Sequence, residues 1–166
     1  MKKKYMWLIV IAGLLVAFDQ IVKIYIHTHF RLGESIPLIP DFFNLTYVRN
    51  PGAAFGFLAE SHPTFREIFF MVMPPIALII ILGILRTVEE TDLLQICALS
   101  SIFGGAIGNY IDRLRFQYVI DFLDFHLYNK WSWPAFNIAD SAIVCGVGVL
   151  LLLMVKEERN KKKLEA

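Results

Sequence analysis

Two aspartates carry the strongest chemical signal in this sequence. Asp140 lies in Phe136-Asn137-Ile138-Ala139-Asp140-Ser141 with no cation beside it, and Asp121 lies in Val119-Ile120-Asp121-Phe122, flanked by apolar residues. An ionisable group in apolar surroundings is costly to keep charged, so each needs a partner and each is a candidate functional group. Brought side by side, two carboxylates share a proton, because desolvation and like charge push one pKa upward. The ionised member of such a pair activates water, and the neutral member protonates a leaving amine. On physical grounds Asp124, in the same apolar stretch, competes with Asp121 for this role. Asn137, three residues before Asp140, falls on the same helical face.

The other polar residues suit support better than chemistry. Asp19 and Lys23 are spaced i,i+4 with the acid first, the favourable order for a neutralising pair. Asn109, Asp112 and Arg113 stack on one helical face if the third helix continues beyond its span. Asp112, next to Arg113 and near Arg115, is expected to be ionised in a network with them, as scaffold or headgroup binder. His27 and His29 are spaced i,i+2, which suits neither a helical metal site nor a His-Glu-x-x-His peptidase, so no metal and no cofactor are expected. A serine–lysine pair would need Ser141 near a neutral Lys23, and Asp19 one turn away favours the charged lysine. Cys97 and Cys145 read as small buried side chains rather than a disulfide.

These residues must be positioned by a membrane fold. The chain has 166 residues, 57% apolar, 14% aromatic and 19% charged, with mean hydropathy +0.57. That excludes a soluble globule, a disordered chain and a disulfide scaffold. A net charge of +1, with no basic stripe outside the termini, argues against nucleic acid as a partner. Four segments, residues 6–26, 68–85, 93–111 and 135–155, are long and apolar enough to cross a bilayer as α-helices of a single membrane domain, 1–166. Lys2 to Lys4 precede the first span, and Lys156, Arg159 and Lys161 to Lys163 follow the fourth, so both termini are expected in the cytoplasm. The longer loops 27–67 and 112–134 then face outward. Asp19 and Lys23 continue the first helix with no small-x-small site after it, which favours an uncleaved span over a signal peptide. Residues 42–48 are rich in β-formers and end in Asn50-Pro51-Gly52, a strand and turn within a small folded cap. Pro74-Pro75 is expected to kink the second span. A proton-coupled transporter is disfavoured, because the four spans show no repeat halves and the polar cluster sits on one side.

Five ordered blocks resemble the bacterial lipoprotein signal peptidases, the type II signal peptidases, over nearly the whole chain. They are Asp19-Gln20-Ile21-Val22-Lys23, the outer-loop block from Asn50 through Gly56, Gly108-Asn109-Tyr110-Ile111-Asp112-Arg113, Val119-Ile120-Asp121-Phe122, and Phe136-Asn137-Ile138-Ala139-Asp140. The resemblance implies four transmembrane helices with a small extracytoplasmic β-cradle. It implies an aspartyl endopeptidase of the bacterial plasma membrane, with its site near the extracytoplasmic face. Such an enzyme removes signal peptides from prolipoproteins, cutting just before the diacylglyceryl-modified cysteine. Asp121 and Asp140 would be the catalytic pair, which decides between Asp121 and Asp124. Asn50, Asn109, Arg113 and Asn137 would surround substrate and dyad, and Asp19, Lys23 and Asp112 would support the site. Membrane lipid and the cyclic peptide antibiotic globomycin are further implied partners.

Overall fold

The computed structural model describes residues 2–52, 61–128 and 131–164. Residues 53–56 of the outer-loop block, the carboxylate Glu60 and the last two residues, Glu165 and Ala166, lie outside the described residues.

Four helices form the body: α1 Lys3–His29, α2 Pro63–Thr87, α3 Leu93–Phe116 and α4 Ile138–Leu164. All four are long and apolar enough to cross a membrane. At 1.5 Å per residue they run about 36–40 Å, beyond the ~30 Å hydrocarbon layer, so each extends past the expected span. The first continues on both sides of 6–26. The third continues through Asp112 and Arg113, which were expected on the loop, because charge ends an apolar run without ending a helix. What ends it is Gln117, in the left-handed region at φ 64°. The fourth starts at Ile138 rather than 135: Pro134 to Phe136 are extended, and Phe136 pairs with Leu123. Helix α2 is continuous through Pro74-Pro75.

The central helix is α3, with 44% of its apolar window buried against 11% for α2 and for α4. Glycines let α3 approach its neighbours. A Cβ on Gly105 would run into the Ala139 carbonyl oxygen and lie 2.7 Å from Ile143 Cγ1 of α4. One on Gly108 would lie 2.8 Å from Asp19 Oδ2 of α1. The outward faces are apolar, as at Leu14, Ile79 and Leu152, which suits lipid as solvent. Cys97 and Cys145 belong to these faces: both are free and exposed, correcting their expected burial. Helical spacing turned them away from the bundle.

Lys4 is buried although the basic run before the first span reads as solvated charge. Its Nζ donates to the carbonyls of Arg86 and Val88, both at 2.7 Å, and so caps the end of α2. Asp92 is likewise a helix cap, its Oδ1 accepting from Gln95 N at 3.1 Å, rather than a free surface charge.

The cap is an antiparallel sheet in the order β1-β2-β3-β4: β1 Ser35–Ile39, β2 Phe43–Asn50, β3 Val119–Leu127 and β4 Trp131–Ser132. The strand expected near 42–48 is β2. Strand β3 occupies the expected loop 112–134, and its first four residues are all buried, so it shows no alternation of buried and exposed positions there. Ile120 and Phe122 join Ile26 and Tyr47 in an apolar cluster that seats the sheet on the end of α1. A second apolar cluster, including Leu8, Leu85 and Leu99, fills the end of the bundle near the chain termini. The polar layer lies between them.

Candidate active site

The deepest part of the site is a lysine with no spare hydrogen. Lys23 Nζ meets Asp19 Oδ2 at 2.8 Å, Asp112 Oδ2 at 3.0 Å and Asn109 Oδ1 at 2.8 Å, which uses all three N–H groups. Lys23, Asp19 and Asp112 are each at most 1% exposed. The expected Asp19–Lys23 pair is therefore present. The expected pairing of Asp112 with Arg113 and Arg115 is not. Adjacent residues on a helix point about 100° apart, so Asp112 turns inward to α1 and Arg113 turns away. Both inner aspartates also hold backbone. Asp19 Oδ1 accepts from Ala139 N at 3.0 Å in the first turn of α4, and Asp112 Oδ2 accepts from Ile120 N at 3.1 Å at the start of β3. This one charge cluster thus fixes the segments that carry Asp140 and Asp121. Gln20, beside Asp19 and without an expected role of its own, donates to Asp112 Oδ1 at 2.8 Å and to the Gly108 carbonyl at 3.1 Å.

Three asparagine amides point at Asp121 and Asp140, and the orientation of each is set by what its oxygen does. Asn137 caps α4: its Oδ1 accepts from Asp140 N at 2.9 Å, while Asp140 Oδ2 accepts from Asn137 N at 3.3 Å, a reciprocal capping box. Its Nδ2 is left to donate to Asp121 Oδ1 at 2.7 Å. The oxygen of Asn109 is taken by Lys23, so its Nδ2 donates to Asp140 Oδ1 at 2.7 Å. Asn50 accepts from Gly52 N at 2.9 Å, the Asx turn that Asn-Pro-Gly favours, and its Nδ2 donates to Asp121 Oδ2 at 3.0 Å. Asp121 and Asp140 are thereby joined through one residue, Asn137, and furnished with donors that carry no charge.

Asp121 is 1% exposed. Burial, and then the charge of Asp140, push its carboxyl up to about 7, against the lowering effect of the Asn50 and Asn137 hydrogen bonds and of Lys23. Asp124 lies elsewhere, near Asn44 Nδ2 at 3.4 Å and His126 Nδ1 at 4.0 Å. Three residues along a strand is an odd step, which reverses the face. Arg113 reaches toward the outer turn: it donates to the Gly52 carbonyl at 3.0 Å and the Asn109 carbonyl at 3.3 Å, and its guanidinium lies 4.6 Å from the Phe70 ring centre.

Asp140, Asn109 and Arg113 border a cavity of about 620 Å³, walled by Phe125, Trp131 and Trp133 of the sheet side and by Val144 and Cys145 of α4. One end is polar and the rest apolar. Among the described residues, no three His, Cys, Asp or Glu side chains gather as a cation site; His27 is instead bonded to Tyr47 and His29 to Tyr25.

The family profile described as signal peptidase (SPase) II matches residues 11–156. The lipoprotein signal peptidase of Syntrophus aciditrophicus is 46% identical over 161 residues, covering 97% of this chain and 99% of that protein. That of Syntrophotalea carbinolica is 49% identical over 145 residues, covering 87% and 88%. The chain belongs to the signal peptidase II family. Two solved structures of bacterial membrane enzymes share the fold: one has TM-score 0.84 and 36% identity over 93% of this chain and 90% of that one, the other 0.79 and 34% over 90% and 92%. Membership in the signal peptidase II family makes the chain a multi-pass membrane protease of lipoprotein signal peptides.

Proposed function

We propose that this protease is an aspartyl endopeptidase that cuts diacylglyceryl-modified prolipoproteins just before the modified cysteine, with Asp121 and Asp140 as its catalytic pair. The observation that carries the reading is the joining of two carboxylates through Asn137, one of which, Asp140, borders a large apolar cavity. Asp121, raised to about 7, holds the shared proton near neutral pH. Asp140, which borders the cavity, serves as the base and takes a proton from a water whose oxygen attacks the scissile carbonyl carbon. The resulting tetrahedral oxyanion collapses as the Asp121 proton passes to the leaving nitrogen and the C–N bond breaks, and the proton taken up by Asp140 returns to the pair for the next cycle. The products are a signal peptide with a new carboxylate and a lipoprotein whose modified cysteine bears a free amine.

Asn50, Asn109 and Asn137 hold the two carboxylates, Arg113 and the outer turn border the bound peptide, and the Asp19–Lys23–Asp112 cluster supports both the start of α4 and the start of β3. The acyl chains and the apolar signal segment suit the aromatic wall of the cavity, reached sideways from the membrane. The family resemblance makes the cyclic peptide antibiotic globomycin an expected competitor for the same cavity. Both termini of the chain lie at the basic end of the bundle and the dyad at the other, so the positive-inside rule puts the termini in the cytoplasm of the bacterial cell and the site near the outer face.

The test uses purified protein in detergent with a chelator present and two prolipoprotein substrates, with and without the diacylglyceryl group. Cleavage before the modified cysteine, untouched by the chelator and lost without the lipid, is expected. Equal cleavage of both substrates, or inhibition that zinc reverses, would contradict the reading.

A further inference from the structure

Strand β2 carries one residue too many for its partner. Leu45 pairs with Leu123 and Val48 pairs with Asp121, so Thr46 and Tyr47 together face the single residue Phe122. This is a β-bulge, which leaves the two strands one residue out of step beyond it. The consequence falls on the site. With the bulge, Val48 stands opposite Asp121 and Asn50 opposite Val119, so Asn50 is the diagonal neighbour of Asp121 on one face of the sheet. Without it Tyr47 would stand opposite Asp121, and Asn50 would point from the other face, because a one-residue slip reverses every side chain.

The bulged residue is held from several sides. Tyr47 is 2% exposed. Its hydroxyl shares a 2.6 Å hydrogen bond with His27 Nδ1 at the end of α1 and accepts from Arg49 Nε at 2.9 Å. Its backbone is paired outside the β2–β3 ladder: Gly33 N donates to the Tyr47 carbonyl at 2.9 Å, and Tyr47 N donates to the Glu34 carbonyl at 3.0 Å. The Arg49 guanidinium lies 5.5 Å from the Tyr47 ring centre and 4.8 Å from that of Tyr118, three residues before Asp121.

We infer that Tyr47 is a positioning residue of the peptidase: its hydroxyl, gripped by His27 and Arg49, locks the β2 bulge that delivers Asn50 to Asp121. Tyr47 makes no hydrogen bond to Asp121, and acts through the amide of Asn50. The inference rests on the reading of Asp121 as one of the catalytic pair. Nothing in the packing of Tyr47 alone requires a phenol, since the apolar cluster with Ile26, Ile120 and Phe122 would accept a phenyl ring as well.

The charged groups facing Asp121 include Asp140 on α4, Lys23 on α1 and Arg113 on α3, and none of them is hydrogen-bonded to Tyr47. The Asn50 hydrogen bond favours ionised Asp121. Its loss therefore moves the high-pH limb of kcat/KM upward by about one unit. The experiment measures that limb for full-length Tyr47→Phe, Asn50→Ala and the double variant, with thermal unfolding as a check on folding. Tyr47→Phe is expected to move the limb upward, as Asn50→Ala does, and the double variant is expected to match Asn50→Ala. His27→Phe, which keeps a ring against Phe116, carries the same expectation and decides the matter if Tyr47→Phe does not fold. A Tyr47→Phe limb unchanged while that of Asn50→Ala moves, or shifts that add in full, overturns the inference. An Asn50→Ala limb that stays in place instead overturns the catalytic reading of Asp121 on which it rests.

Discussion

Replacing Asn137 by Asp changes one NH2 group to an oxygen and almost nothing in shape. The capping bond survives, because the oxygen that accepts from Asp140 N is kept. What is lost is the donor 2.7 Å from Asp121 Oδ1. A hydrogen bond to a charged group contributes about 1.5–3 kcal/mol, equivalent to roughly 1–2 pH units on the ionised form of Asp121. The new carboxylate adds repulsion, about 4 kcal/mol for unit charges ~4 Å apart at an effective dielectric near 20, so the two effects act in the same direction. Starting from about 7, the proton on Asp121 should then be held to pH 8 or above, by about one unit at the least. The assay is kcat/KM for a labelled diacylglyceryl prolipoprotein from pH 5 to about 9.5, with thermal unfolding in the same detergent. Asn137→Ala provides the contrast: it loses the cap as well, so its stability should fall by a further ~1 kcal/mol. A high-pH limb for Asn137→Asp that is unmoved, or moved downward, would refute the reasoning that this amide tunes Asp121.

The wild-type protein should show its high-pH limb near 7, with kcat/KM falling about tenfold per unit above it as Asp121 loses its proton. Because the folded chain holds that proton more tightly than an unfolded one, this group's contribution to stability should also decline as pH rises toward 7, which a series of thermal melts reads directly. Lys23→Met leaves Asp19 and Asp112 buried without their cation, at a cost of about 3–5 kcal/mol, and an unchanged melting temperature would contradict the role of Lys23. Gly105→Ala should lower both stability, by about 1–3 kcal/mol, and kcat/KM, because its methyl meets the Ala139 carbonyl next to Asp140. Gly13→Ala, with nothing within 4 Å, should leave activity and melting unchanged.

How far sequence reached depended on whether a residue's partner was close along the chain. The Asp19–Lys23 pair is a four-residue spacing and was legible, whereas Asn137 and Asp140, three residues apart, read as sharing a helical face until the start of α4 at Ile138 made Asn137 its cap. The isolation of Asp121 and Asp140 among apolar residues was legible too, although their separation by a strand, a turn and the start of a helix left their meeting to the fold. Asp112 misled for the same reason in reverse: Arg113 is its neighbour in sequence, yet Lys23, on another helix, is its neighbour in space. The burial of Lys4 depends on where α2 ends, and the register of β2 depends on a bulge, neither of which leaves a local pattern.

The most direct test of the catalytic pair is single-turnover cleavage of a diacylglyceryl prolipoprotein by Asp121→Asn and Asp140→Asn in matched detergent. Each substitution removes one carboxylate with little change of shape. Each should lower the rate by about a hundredfold or more, with folding intact by thermal melt. A folded variant of either kind that cleaves at the wild-type rate would contradict the account.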